Sequence, residues 1–246
     1  GRRIQHQAYF DIPEVLEDFV TLGTVQRPWD TVRFGRSGKV WGYFNVTHFE
    51  PEEWEPGYPN PAMMRMSERD GAWMARILAR MSPQHIQAAM KSAKLRDDEL
   101  ESELLRILLG RRQKILRRYL SKLAPLAWPE VNGNELCMMD LALTSKLVPE
   151  ETRSYGARAW LTLDLQPYKI GTLTRRGEDQ ICVPLPSTKQ ASADNPQYLV
   201  VNVYAFTGGS DRLPTRVHLY QLGKGDYRVV GLEREQDRLR VDAGGV

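Results

Sequence analysis

The spacing of apolar residues changes period midway along the chain, and that change constrains the fold more than any motif does. From about Pro61 to Leu147 apolar side chains recur at helical spacing. From about Tyr155 to Leu232 they alternate, with Gly and Pro between the runs. A helical period buries a stripe and an alternating period buries one face of a sheet. The pattern therefore predicts an α+β protein: residues 1–150 as an α-rich unit with an irregular N-terminal arm, and residues 151–246 as an antiparallel β-sheet or small sandwich.

Local signals place the elements. Asp11-Ile12-Pro13-Glu14 is expected to start a short helix that runs through Phe19, with Pro13 at an early helical position. Thr31–Phe34 and Val40–Val46 read as two short strands around a Gly-containing turn. Prolines and glycines between Pro51 and Pro61 hold the next stretch extended, with Trp41, Trp54 and Tyr58 as anchors. Ser67 and Ser82 are helix caps, and Asp97-Asp98-Glu99 opens the longest helix with acids at its positive end. Trp73, Met74, Ile77, Leu78 and Met81 form an apolar stripe expected to face the core, and Leu136–Leu147 reads as a short fourth helix. Arg158–Leu165, Gln180–Leu185, Tyr198–Phe206, Thr215–Leu222 and Tyr227–Glu233 are strand candidates. Gly223-Lys224-Gly225-Asp226 is a hairpin turn between the last two.

The chain has 246 residues and a net charge of +3, too nearly neutral for an obligate nucleic-acid binder, so no sequence-specific nucleic-acid partner is expected. The longest apolar runs fall well short of the ~20 residues a transmembrane helix needs. Two cysteines, Cys137 and Cys182, are too few for a disulfide scaffold. Two buried free thiols are the expectation, with pairing as the alternative if the fold brings them together.

Convergent chemistry is absent from the pattern. No two of His6, His48, His85 and His218 have the spacing of a helical metal pair, and His218 falls on the polar face of a strand. The glycine pairs are turns rather than phosphate cradles. No catalytic, cofactor-binding or metal-binding residue and no cofactor is therefore assigned. One feature is a candidate surface: Arg111, Lys114, Arg118 and Lys122 share roughly one face of the long helix, within a stretch free of acids. That face could meet phosphate, an anionic lipid surface or an acidic partner. The structural alternative pairs these bases with acids elsewhere in the fold, such as Asp140 or Glu150.

Several longer motifs point to a family. Arg27-Pro28-Trp29, the run Phe49–Ala62, Arg69–Ile77 and Arg111–Tyr119 resemble segments of a family of large uncharacterised bacterial proteins. Leu213–Tyr220 and Val229–Arg234 are similar to that family's C-terminal β-region. The resemblance implies an atypical-kinase-like N-terminal region upstream of Gly1. Phe10–Tyr119 would then be helices of a kinase-like large lobe, and the β-region an appended module. Its members look exported, which implies the cell envelope. No kinase glycine loop, catalytic loop or metal-binding motif falls within this chain. The combined expectation is a non-catalytic scaffold or interaction subunit with other protein subunits as partners. The alternatives are the C-terminal half of a phosphotransferase and an anion- or lipid-binding module.

Overall fold

Short polar side chains fix where the helices begin. Ser67 Oγ accepts the amide N–H of Asp70, and the Asp70 carboxylate accepts the Ser67 N–H at 2.9 Å, a reciprocal capping box. Ser82 and His85 form the same arrangement, with Pro83 at the first helical position. The Asp97 carboxylate accepts from the amides of Glu99 and Leu100. The computed structural model describes residues 12–25, 40–41, 44–47, 49–52, 60–95, 97–121, 123–161, 167–168, 170–187, 191–208 and 214–234. The chain divides into two compact units, Gly1–Arg118 and Tyr119–Val246.

The first unit is helical: α1 (Ile12–Val20), α2 (Pro61–Met64), α3 (Glu68–Arg80), α4 (Pro83–Ser92) and α5 (Asp98–Leu120), whose last two residues enter the second unit. Helix α5 carries Asp98, Glu99 and Glu101 in its first turn and Arg117 and Arg118 in its last, the polarity that the helix dipole favours. Of the two strands expected in the N-terminal arm, Thr31–Phe34 lies outside the described residues. The second is corrected: Val40 and Trp41 are helical, and Phe44–Val46 has no strand pairing.

The second unit is the β-sandwich. One sheet has the order β1-β2-β6-β5 and the other β4-β3-β7-β8-β9, with every described pairing antiparallel. The strands are β1 (Leu126–Asn132), β2 (Glu135–Asp140), β3 (Arg153–Leu161), β4 (Pro167–Tyr168), β5 (Thr174–Arg176), β6 (Gln180–Pro184), β7 (Gln197–Thr207), β8 (Thr215–Gly223) and β9 (Asp226–Arg234). Leu136, Met138, Ile181 and Val183 from the first sheet share one core with Leu199, Val201, Val203, Val217 and Leu219 from the second. Each of these side chains contributes about 1.5–3 kcal/mol by leaving water. Lys224-Gly225 closes the β8–β9 hairpin, and Gly225 supplies the required positive φ.

Three expectations are corrected here. The division falls at residue 118 rather than 150, because β pairing begins at Leu126. The expected helix Leu136–Leu147 is strand β2 followed by a single helical turn, α6 (Leu141–Thr144). Its apolar run is continuous because Cys137 and Met138 are both buried although they point to opposite faces. A short two-sided run of that kind carries no period that separates strand from helix. Finally, Cys137 and Cys182 are not free thiols. They sit opposite each other in the β2–β6 register, Cα atoms 4.0 Å apart, and form a disulfide.

One prediction arises from the first unit. Gly110 lies inside α5, where glycine costs about 1 kcal/mol relative to alanine. A Cβ there would stand 2.6 and 2.8 Å from the two Val46 methyls, and valine is stiff about χ1. Gly110→Ala is therefore expected to destabilise the protein by about 1–3 kcal/mol, overriding the gain in helix propensity. Equilibrium denaturation measures it, and a more stable variant would show that Val46 does not hold the helix at this distance.

Candidate functional site

The basic face of α5 faces the protein's own chain. Arg111 is buried, with its guanidinium 4.3 Å from the Phe44 ring centre and 3.8 Å from that of Phe49. It donates to the Asn45 carbonyl. Burial pushes Arg111 down to about 10, still far enough above neutral pH that it stays a cation. Two aromatic rings compensate that charge. Lys114 pairs with Glu50 at 2.5 Å. Arg118 grips Glu68 through two nitrogens and also pairs with Glu52. Lys122 lies outside the described residues. The acids that meet this face are Glu50, Glu52 and Glu68, not Asp140 or Glu150, which pair with Arg153 and Arg175. Arg112, next to the predicted set, is also buried. It donates to the carbonyls of Leu78 and Ala79 in the last turn of α3.

Helix α3 reverses the expected orientation of its apolar stripe. The residues it buries are Gly71, Ala72, Ala75 and Ala79. Trp73, Met74, Ile77 and Met81 are 60, 52, 41 and 46% exposed, and Met63 and Met66 just before the helix are about half exposed as well. The small residues let the α3 backbone approach its neighbours closely, where the bulky side chains would not fit. The result is an exposed surface of one tryptophan, one isoleucine and four methionines. Contiguous apolar surface on a folded chain marks an interaction site, and methionine suits it because its flexible thioether adapts to a partner.

The second unit holds two polar constellations that the linear sequence does not reveal. In the first, Asp140 is fully buried. It accepts from Arg153 Nε at 2.7 Å, Arg153 Nη2 at 3.2 Å, the Tyr155 hydroxyl at 2.8 Å and the amides of Ala142 and Leu143. Every lone pair is used and no group is left for a ligand, so this cluster is structural. In the second, the Tyr198 hydroxyl bonds His218 Nδ1, and His218 Nε2 lies 3.5 Å from Glu233. The sequence places His218 on a polar strand face, but only the register of β7, β8 and β9 brings Tyr198 and Glu233 to it. Burial and then the Glu233 charge raise the Tyr198 hydroxyl above its ordinary value, the opposite of what an activated nucleophile needs.

A cleft of about 540 Å³ lies between the segment Leu143–Glu150 and the turn at Glu178 and Asp179. Two of its three acids are engaged, since Thr144 donates to Asp179 and Arg175 pairs with Glu150, which leaves one carboxylate, Glu178, and no convergent set. Among the described residues, Glu135, Cys137 and Cys182 alone gather three potential metal-ligand side chains. Both sulfurs are bonded to each other there, so the group is not a cation cage.

No family model matches the chain, and no curated protein and no solved structure matches it.

Proposed function

We infer that this chain is a non-catalytic interaction subunit, and that the α2–α3 surface is where another protein subunit binds it. The exposure of Trp73, Met74, Ile77 and Met81 on a helix that buries only small residues carries this reading. Aromatic and methionine side chains are the groups that dominate protein interfaces. Among the described residues no helix is long and apolar enough to cross a membrane. The buried Cys137–Cys182 bond supports an oxidising compartment. Together with the resemblance to exported bacterial proteins, it favours an assembly of the cell envelope.

The test compares wild type with Trp73→Lys/Ile77→Lys, each isolated from its source under native conditions. Wild type is expected to elute in an assembly larger than a single chain, and the variant as a single chain. The isolated variant should keep its stability to within about 0.5 kcal/mol, because exposed side chains contribute little to folding. A wild-type protein that elutes alone, or a variant that keeps its assembly, would remove the basis of this reading.

A further inference from the structure

We propose that the outer face of the five-stranded sheet is a binding platform for an acidic polysaccharide. The reading goes beyond the α3 surface and rests on the other unit.

Strand register fixes what this face displays. One row runs across four strands as Arg158, Asn202, Arg216 and Glu233, each paired with the next in the ladder. The next row is Trp160, Val200, His218 and Gly231, and beyond it stand Tyr198, Tyr220 and Arg228. On the opposite side of the polar row, β7 contributes Tyr204 and Phe206. The face is thus a polar stripe flanked by aromatic rings on both sides. Tyr204 and Phe206 are parallel to within 3° at 6.0 Å, and Tyr198 and Tyr220 lie 5.3 Å apart. The first pair continues along the strand and the second crosses between strands.

The charges on this face select an anion. Arg216 is held by Asn202 Oδ1 at 3.0 Å and lies 3.5 Å from Glu233. Arg158 and Arg228 are exposed and, among the described residues, carry no ion pair or hydrogen bond. Among the described residues of this face Arg158, Arg216 and Arg228 stand against Glu233 and, at the hairpin end, Asp226, so arginine is in excess, and the Arg158 and Arg228 guanidinium groups are free to take a carboxylate through both of its oxygens. Flat rings offer their faces to the C–H side of a pyranose, while the Tyr204 and Tyr220 hydroxyls offer hydrogen bonds to its hydroxyl groups; Asn202 is buried and serves to hold Arg216 in place. A polymer of uronic acids presents both kinds of group at every sugar. A single-stranded nucleic acid would also stack on rings and pair with arginine. The buried disulfide favours the polysaccharide instead, because it points to an oxidising compartment where polysaccharide rather than nucleic acid is the abundant polyanion.

Affinity electrophoresis through gels containing polygalacturonate tests the proposal, with dextran gels and a twenty-residue oligothymidylate as comparators. Wild type is expected to be retarded by polygalacturonate and not by dextran, and less so as salt rises. Arg158→Gln/Arg228→Gln is expected to weaken binding about tenfold, the loss of two charge pairs of ordinary strength. Trp160→Ala or Tyr204→Ala should weaken it as well. The arginine pair is exposed, so that variant keeps its fold and decides the matter even if an aromatic variant does not. The proposal is overturned by absence of retardation, by retardation that the arginine pair leaves unchanged, or by tighter binding of the oligothymidylate through the same residues.

Discussion

Asp140→Asn is expected to lower the stability of the protein by about 3–5 kcal/mol, the cost of leaving a buried cation without its counter-charge. Both side chains of the Asp140–Arg153 pair are fully buried, so water cannot take over for the lost carboxylate. Asparagine keeps a carbonyl oxygen and can still cap the turn at Ala142, so the loss reports the charge rather than the cap. Tyr155→Phe removes one hydrogen bond to the carboxylate and should cost less, about 1.5–3 kcal/mol.

The same cluster predicts an alkaline limit. Burial first, and then the Asp140 charge, hold the Tyr155 hydroxyl protonated well above its ordinary value. In the unfolded chain a tyrosine ionises near pH 10. Above that pH the unfolded state releases this proton while the folded state keeps it. Its share of stability is thus complete below about pH 10 and is lost as pH rises further, at about 1.4 kcal/mol per pH unit. Tyr198 and Tyr227 are raised in the same direction, so Tyr155→Phe should flatten the alkaline decline without abolishing it. Denaturant unfolding at pH 7 and across pH 9–11 measures both effects. An Asp140→Asn variant within 1 kcal/mol of wild type, or an alkaline slope unchanged in Tyr155→Phe, would show that the cluster does not hold the sandwich.

The second large effect is the loss of the disulfide. Cys137→Ala/Cys182→Ala opens a link between residues 45 apart in sequence. Chain-entropy scaling for a loop of that length gives a loss of about 4 kcal/mol. Both sulfurs are inaccessible, so the native protein should resist mild thiol reductants, and protein denatured without reductant should show no free thiol. Two reactive thiols in that assay, or a double variant that unfolds at the wild-type denaturant concentration, would contradict the bond. The bond crosses strands β2 and β6 on the face opposite Met138 and Ile181, so it ties together the sheet that holds half of the sandwich core.

Much of this architecture can be read directly from the residues, because the forces that start and stop elements act within a few positions. A serine hydroxyl reaches an amide three residues on, which is why Ser67 and Ser82 begin helices where the sequence says they must. The Gly223–Asp226 turn and the alternation through β7 and β8 are equally local, and the α+β class with a C-terminal antiparallel sandwich follows from them. What the tertiary structure alone decided is where each surface points and which charges meet. Period marks an apolar stripe on α3 but not that the alanine side is the one that fits against the unit, so Trp73 and Ile77 turn outward. Arg118 closes on Glu68 across 50 positions, Cys137 on Cys182 across 45, and His218 gathers Tyr198 and Glu233 only because three strands share one register. Such contacts depend on how distant segments pack. Packing is set by the fit of whole surfaces, and no single stretch of residues encodes it.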